Sequence, residues 1–449
     1  MASFGLVDSV VRPLVRPVTR GRASLAFAGL VLFVFLVYSN PGNLFFPDAA
    51  DANLAKPVAG LALVALAAAW LLQDRRIHLG GAIGALLCAY FATIGLSATW
   101  SLWPSMSFDM FTDGLKYFAI FFVAANVLDD AKRGSKFVHA LAWASVIPAL
   151  GCINSYFHGE HLVDGDRAGW IGIFANPNDL AYHLAVGIAL SLGGRELARK
   201  SWLRTAYLGG MAIMVGAILL TQSRGGLIAT GTVIGLYSIR GLKRGRALVG
   251  VGALLALAVY FGPAATWQRG ETIADYKDDA SAQGRIDAWR TGLNVFEGRP
   301  LTGVGAGAFT LAWAEYAPGD AGPARSAHNT FVQVVAETGL PSFLLFVGAV
   351  AAAALGLSRA ARPKPGDDEN PGRHDLATLA RTTQVALGGF VVSSLTGGLA
   401  YTWPLYLLLG MAAAFIRIER FGAATETSPA PRPVFEPLRA LPSPSPETR

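Results

Sequence analysis

The 449-residue chain has 53% hydrophobic and only 15% charged residues, with a mean hydropathy of +0.43. Soluble globular domains carry about 25% charged residues, so the composition excludes an ordinary soluble domain and predicts an integral membrane protein. The net charge of +7 does not indicate a nucleic-acid partner, because the basic residues form short clusters between apolar runs.

A membrane-spanning helix needs roughly 20 apolar residues. By that measure the sequence predicts an all-α, polytopic transmembrane helix bundle of about twelve spans. The predicted spans are residues 23–39, 56–72, 78–99, 107–128, 135–156, 177–194, 202–222, 224–239, 247–262, 339–357, 378–397 and 402–416. Arginines precede the first run and no cleavage site follows it directly, so we expect an uncleaved first helix.

The orientation follows from the connections, because short loops rich in Lys and Arg stay cytoplasmic. Every second connection is basic, as at 132–136 and 240–246, and the alternate connections are poorer in basic residues. Both termini are therefore predicted to be cytoplasmic. The predicted organisation is a cytoplasmic N-terminus (1–22), spans one to nine (23–262), a large outer loop (263–338), spans ten to twelve (339–416) and a disordered cytoplasmic tail (417–449).

The outer loop begins with a segment of helical periodicity. Ile286, Trp289, Leu293 and Phe296 recur at helical spacing and predict one apolar face over residues 283–296. We expect that face to lie on the membrane surface.

A glycine-rich segment, residues 298–309, follows this helix. Glycine ends helices and lets the backbone approach a ligand closely. Residues 326–338 are then predicted to form a short helix with His328 in its first turn.

Polar residues of this loop are candidates for chemistry. His328 is either a solvated or capping histidine or, with an ordinary pKa of about 6.5, a group that accepts a hydroxyl proton. Arg224 and Arg285 are either charges at a membrane or helix edge or ligands for a diphosphate, which arginine binds through two parallel, charge-assisted contacts.

The fourth predicted span contains ionisable residues on one helix face: Asp109, Asp113 and Lys116. Such groups are costly in a bilayer and are expected to face the protein interior. An Asp113–Lys116 ion pair is favoured over a proton relay. The acidic and His residues of 158–166 match no zinc spacing, so no metal site and no cofactor are predicted.

An ordered set of motifs resembles the O-antigen ligase and O-antigen polymerase superfamily over about residues 167–346. The set comprises FANPNDLA (174–181), SRG (223–225), Arg285 with Trp289 and PLTGVGAG (300–307), HNTFVQ (328–333) and ETGL (337–340). Members of this superfamily join lipid-diphosphate-linked glycans to an acceptor on the outer face of the bacterial inner membrane.

The resemblance implies that His328 activates the acceptor hydroxyl and that Arg224 and Arg285 bind the diphosphate of the donor. Further substrate-binding candidates near these motifs are Asn176, Asn178, Arg290, Arg325 and Asn329. The implied reaction is direct, metal-independent glycosyl transfer from an undecaprenyl-diphosphate-linked glycan, in a periplasmic catalytic loop of a multi-pass inner-membrane protein.

Three glycosyltransferase functions fit the sequence, and they differ in the acceptor. The first is O-antigen ligation to lipid A–core. The second is polymerisation of O-antigen or exopolysaccharide on a second lipid-linked repeat unit, and the third is protein O-oligosaccharyl transfer. A twelve-span transporter, the alternative outside this class, is disfavoured because no two related halves are apparent and the large loop follows span nine.

Overall fold

The computed structural model describes residues 22–45, 57–58, 60–61, 63–65, 67–68, 77–241, 280–362 and 370–426, and helices dominate this part of the chain. Its first half contains α1 (Arg22–Ser39), α2 (Pro41–Phe45), α3 (Gly81–Ser97), α4 (Pro104–Val127), α5 (Ala131–Ala144), α6 (Val146–His158), α7 (Pro177–Leu197), α8 (Ser201–Thr221) and α9 (Arg224–Gly241). Its second half contains α10 (Ala280–Gly298), α11 (Trp313–Tyr316), α12 (Thr330–Ala360), α13 (Pro371–Ser393) and α14 (Trp403–Glu426). The span predicted at 247–262 lies outside the described residues.

Several of these helices have the dimensions of membrane spans. Within the described residues, four helical stretches are long and apolar enough to cross a membrane: α4, the Ala131–His158 run of α5 and α6, α8 and α12. Helices α1 and α3 are also apolar but shorter. The fold is therefore helical with membrane-type helices, and the count of twelve spans stays a prediction.

The bundle is built around α7 and α13, which pack against each other and against α9. Helix α7 is buried almost all round, as expected of a helix enclosed by others. Small residues allow this close packing, since Gly193 lies directly against Thr382 of α13 and Gly194 against Tyr207 of α8. Helix α4 packs on α14, and α3 packs on α12.

A short β-hairpin before α7 departs from the all-α prediction. Strands β1 (Leu162–Val163) and β2 (Arg167–Ala168) pair antiparallel, with Leu162 opposite Ala168. The hairpin follows α6 and brings Arg167 to the end of the bundle where α7 begins.

Helix α10 is present as predicted, and its buried face differs from the apolar face predicted to lie on the membrane surface; that placement stays a prediction. Its buried positions follow the stripe Gly284, Asp287, Ala288, Thr291, Gly292 and Val295, at the spacing of one helix face. Leu293, from the predicted apolar face, is 56% exposed. Small residues on the buried face let α10 approach α12 closely, since the Cβ position of Gly292 lies against Val332 of α12.

One predicted boundary coincides with a kink and another needs correction. The border between loop and tenth span, predicted at 338/339, falls at a kink where Gly339 has φ 74° and two helical segments of α12 meet. A side chain there would also meet the backbone of Leu301. Helix α14 runs on to Glu426, so residues 417–426 are helical and do not belong to a disordered tail.

The ion pair expected in the fourth predicted span forms, but not in the protein interior. The Lys116 ammonium lies 2.9 Å from the Asp113 carboxylate, and the two side chains are 45% and 69% exposed. The pair therefore lies on the outer surface of α4, and its contribution is that of an exposed i,i+3 pair.

Candidate active site

His328 lies in a fixed turn directly before α12, and not in the first turn of that helix as predicted. Its φ is +45°, in the left-handed region that non-glycine residues rarely adopt. Asn329 caps the helix by accepting hydrogen bonds from the N–H groups of Phe331 (2.9 Å) and Val332 (3.2 Å). Unusual backbone conformations of this kind concentrate at functional sites.

The next residue, Thr330, anchors this turn to the loop between α13 and α14. Its N–H donates to the Ser394 carbonyl at 2.8 Å, and its hydroxyl donates to the Gly397 carbonyl at 2.8 Å. The same hydroxyl accepts from the Leu399 N–H at 2.8 Å. We call residues 394–399 the anchor loop; it fixes where His328 can lie.

The surroundings of His328 favour its neutral form. Burial lowers the pKa of its imidazole below the usual value, and the positive charges of Arg285 and Arg325 lower the pKa further. A neutral imidazole at physiological pH can accept a proton. The same observation places both arginine charges around the histidine.

Arg285 and Arg325 reach this position from different directions. Arg285 is half-buried on α10, and Arg325 belongs to the segment before α12. The guanidinium group of Arg325 lies directly against Gly284, where any Cβ atom would overlap it. The glycine at 284 therefore gives Arg325 its place beside α10.

Tyr182 of α7 connects this group to the second half of the candidate site. Its hydroxyl lies 3.0 Å from the Thr396 hydroxyl in the anchor loop. It also lies within electrostatic range of Arg285 and Arg167. On its other side is Gly225, whose Cβ position would be 2.8 Å from the Tyr182 hydroxyl.

Arg224 is the exposed first residue of α9, adjacent to Gly225. The preceding Gln222 ends α8 in a left-handed conformation with φ 52°. Its side chain is buried, and neither amide atom has a hydrogen-bond partner in the part of the chain that the structure describes. This tight connection between α8 and α9 places the start of α9 at the bundle end that holds Tyr182, since Gly225 lies against Tyr182.

Arg167 ties this connection to the start of α7. Its guanidinium donates to the Thr221 carbonyl (3.1 Å), the Asn178 side chain (2.9 Å) and the Asp164 carboxylate (3.2 Å). The first turn of α7 and the end of α8 are thereby held together.

The glycine-rich segment after α10 packs against protein rather than lining an open ligand site. The N–H of Gly305 donates to the Glu337 carbonyl at 2.8 Å, and its Cβ position, at φ +104°, lies against Ser101. The buried Glu337 carboxyl accepts from Tyr401 (2.8 Å) and Gln333 (3.2 Å). The close approach predicted for these glycines is thus made to α12 and to the start of α4.

Comparison with known proteins identifies the superfamily. Residues 209–347 match the family model described as O-antigen ligase. The exopolysaccharide production protein ExoQ of Rhizobium meliloti (strain 1021) is 26% identical over 263 residues, 55% of this chain and 59% of that protein. Both similarities support a relationship to the O-antigen ligase-related superfamily. Its match spans less than two thirds of the relative's length, so substrates and partners are matters of proposal.

The O-antigen ligase match contains Arg224, Arg285 and His328 but ends before the anchor loop and begins after Tyr182. The structure brings His328, Arg285 and Arg325 together, and it links them through Tyr182 to the residue beside Arg224. Tyr182 and the anchor loop are therefore parts of the site that the family match alone does not cover.

The remaining predicted substrate-binding residues are less central. Arg290 is exposed, five residues beyond Arg285 and so about 140° around the helix. The side chains of Asn176 and Asn329 are helix caps, and Asn178 accepts from Arg167. The observed contacts of the three asparagines position parts of the candidate site. Contact with substrate stays a prediction for each of these residues and for Arg290.

Sequence reasoning did not select Arg167, Tyr182, Gln222 or Thr396. Tyr182 directly follows the FANPNDLA motif, and Gln222 directly precedes SRG, so proximity to the motifs was the available signal. Thr396 lies far from every motif along the chain. Only the fold brings it to Tyr182.

Proposed function

We propose that this protein transfers a glycan from an undecaprenyl-diphosphate-linked donor to an acceptor hydroxyl at the periplasmic face of the bacterial inner membrane. The observation that carries the proposal is His328, fixed in a left-handed turn, where burial and the charges of Arg285 and Arg325 lower its pKa. A base next to a diphosphate-binding group is what such a transfer requires. The relationship to O-antigen ligases supports the same chemistry.

The transfer is a single displacement. His328 accepts the proton of the acceptor hydroxyl while that oxygen forms a bond to the anomeric carbon of the donor sugar. The bond from this carbon to the diphosphate oxygen breaks, and the electron pair leaves with the lipid diphosphate. Direct displacement inverts the anomeric configuration, and the proton held by His328 is then lost to water.

Arg285 and Arg224 stabilise the negative charge that develops on the leaving diphosphate. Guanidinium groups do this by charge-assisted hydrogen bonds, and they supply the neutralising role that a metal ion has in other glycosyl and phosphoryl transfers. Metal-independent transfer is part of the proposal.

The first proposed acceptor is lipid A–core, which makes the reaction O-antigen ligation. Residues 263–338 are proposed to form the periplasmic catalytic loop, with both termini in the cytoplasm. The second candidate is polymerisation of an exopolysaccharide, favoured by the similarity to a protein named for exopolysaccharide production. The two candidates share the donor side of the site and differ in the acceptor.

The experiment is deletion of the gene in its own bacterium, followed by complementation. Free core with intact lipid-linked polymer on a lipopolysaccharide gel supports ligation, whereas core bearing one repeat unit, or loss of exopolysaccharide, supports polymerisation. Complementation with His328→Ala is expected to fail at normal membrane levels. His158→Ala, an exposed histidine at the end of α6, is the matched control and is expected to complement. Full glycan attachment with His328→Ala would refute the proposed base.

A further inference from the structure

Asp179 is a carboxylate at the edge of the candidate site. It lies in the first turn of α7, one turn before Tyr182, and is half-buried. The Tyr182 hydroxyl lies within electrostatic range of Asp179 as well as of Arg285 and Arg167. Asp179 therefore borders the group of residues proposed to bind the donor.

The backbone of Asp179 is fixed on both sides. Its N–H donates to the Asn176 cap at 3.4 Å, and its carbonyl accepts from Nδ1 of His183 at 2.7 Å. His183 is itself buried and lies against the rings of Phe174 and Trp403. The carboxylate thus projects from a backbone that has little freedom to move.

The side chain of Asp179, in contrast, has no protein partner. No hydrogen bond or ion pair to its carboxylate is formed by the residues that the structure describes. The nearby Arg167 is engaged with Asp164, Asn178 and Thr221 instead. The carboxylate oxygens are not among the buried atoms without a partner in the described residues, so they remain accessible to donors from outside the protein, such as those of a bound molecule.

The chemistry of a carboxylate restricts what that molecule can be. An ionised carboxylate only accepts hydrogen bonds and repels a diphosphate, whereas sugar hydroxyl groups donate hydrogen bonds. A carboxylate in the first turn of a helix also interacts favourably with the helix dipole, and that explanation involves no ligand. The two explanations predict different effects of substitution.

We propose that Asp179 is a substrate-binding residue that accepts hydrogen bonds from sugar hydroxyl groups of the transferred glycan. In this arrangement the arginines hold the diphosphate, and Asp179 holds the sugar on the far side of Tyr182. The inference rests on the proposed glycosyl transfer. It assigns a glycan-recognition function to the first turn of α7, outside the region matched by the O-antigen ligase model.

The test uses the purified full-length protein in lipid nanodiscs, with lipid-diphosphate-linked glycan extracted from the bacterium as the donor. Asp179→Asn removes the charge with little change in shape. Asp109→Asn, an exposed carboxylate on α4, is the matched control for charge removal. Undecaprenyl diphosphate without a glycan serves as a competing probe of the diphosphate-binding half.

We expect Asp179→Asn to raise the KM for the glycan donor by about tenfold or more, the effect typical of losing a hydrogen bond to a charged group. The inhibition constant of undecaprenyl diphosphate and the melting temperature should stay at the Asp109→Asn values. Asp179→Glu, which keeps the charge, should recover part of the loss and also serves if the Asn variant does not fold.

Other outcomes would overturn the inference in distinguishable ways. An unchanged KM with a lowered melting temperature would assign Asp179 to the helix dipole alone. An equal rise in KM and in the undecaprenyl diphosphate inhibition constant would place Asp179 on the diphosphate side. If the wild-type protein transfers no glycan, the proposed function fails and this inference fails with it.

Discussion

Thr330→Val tests whether the anchor loop holds the two halves of the site together. Threonine and valine have nearly the same shape, so the substitution removes only the hydroxyl of a fully buried side chain. That hydroxyl donates to the Gly397 carbonyl and accepts from the Leu399 N–H, both at 2.8 Å. Without it, two buried backbone groups of the anchor loop lose their partner.

The size of the effect follows from these two groups. A buried donor or acceptor left without a partner costs about 1–3 kcal/mol, so the loss of two such contacts in Thr330→Val should lower the free energy of unfolding by roughly 2–6 kcal/mol. Thr338→Val is the matched control, because its hydroxyl only donates to the Val334 carbonyl one turn earlier in the same helix. That carbonyl keeps its place in the helix, so the control should cost much less.

The assay is reversible unfolding of the purified protein in detergent, with glycan transfer measured on the same samples. Thr330→Val should lose transfer activity below its unfolding midpoint, because a loosened anchor loop no longer fixes His328 and Thr396. If Thr330→Val and Thr338→Val unfold within 0.5 kcal/mol of each other, an interval typical of neutral substitutions, the reasoning is refuted.

Three further predictions concern single side chains of the site. Replacing Arg325 by Gln removes one of the charges that lower the pKa of His328. The His328 pKa should therefore rise, and the acidic limb of the pH–rate profile should move to higher pH. A limb that does not move would contradict this assignment. Gly225→Ala places a methyl group 2.5 Å from the Thr396 hydroxyl and should reduce glycan transfer. Gly231→Ala on the same helix meets open space and should leave transfer unchanged. Equal activities of the two variants would exclude a role for the close contact between Gly225 and Thr396. Asn329→Ala removes the cap of α12 and should lower the free energy of unfolding by about 1 kcal/mol, measured by denaturant unfolding, with Asn329→Asp retaining most of it.

Much of the helical fold could be predicted from apolar length alone. Most predicted spans within the described residues coincide with one helix, whereas the span predicted at 135–156 is divided into α5 and α6 and the one at 56–72 is described only in part. Length and hydropathy account for this agreement, because a run of about 20 apolar residues favours a helix that can span a bilayer. The buried face of α10 could not be predicted in this way, since Gly284 and Gly292 contribute little hydropathy yet allow Arg325 and Val332 to approach closely.

The charged candidates could be selected from the sequence, but their arrangement could not. His328 and Arg285 were selected from residue type and motif order; in the structure the charge of Arg285 acts on His328, and their catalytic roles stay a prediction. The left-handed turn at His328, and the contact between Tyr182 and Thr396, depend on partners more than 60 residues away. Local sequence does not encode such contacts, so the anchor loop could not be anticipated.

The anchor loop also bears on when the protein acquires its function during synthesis. Residues 394–399 follow His328 and Arg224 along the chain, yet Thr330 and Tyr182 both bind to them. A nascent chain that ends after α12 therefore contains His328 and Arg224 without the loop that anchors Thr330 and Tyr182. Under the proposed glycosyl transfer, activity should arise only once the anchor loop after α13 has been made.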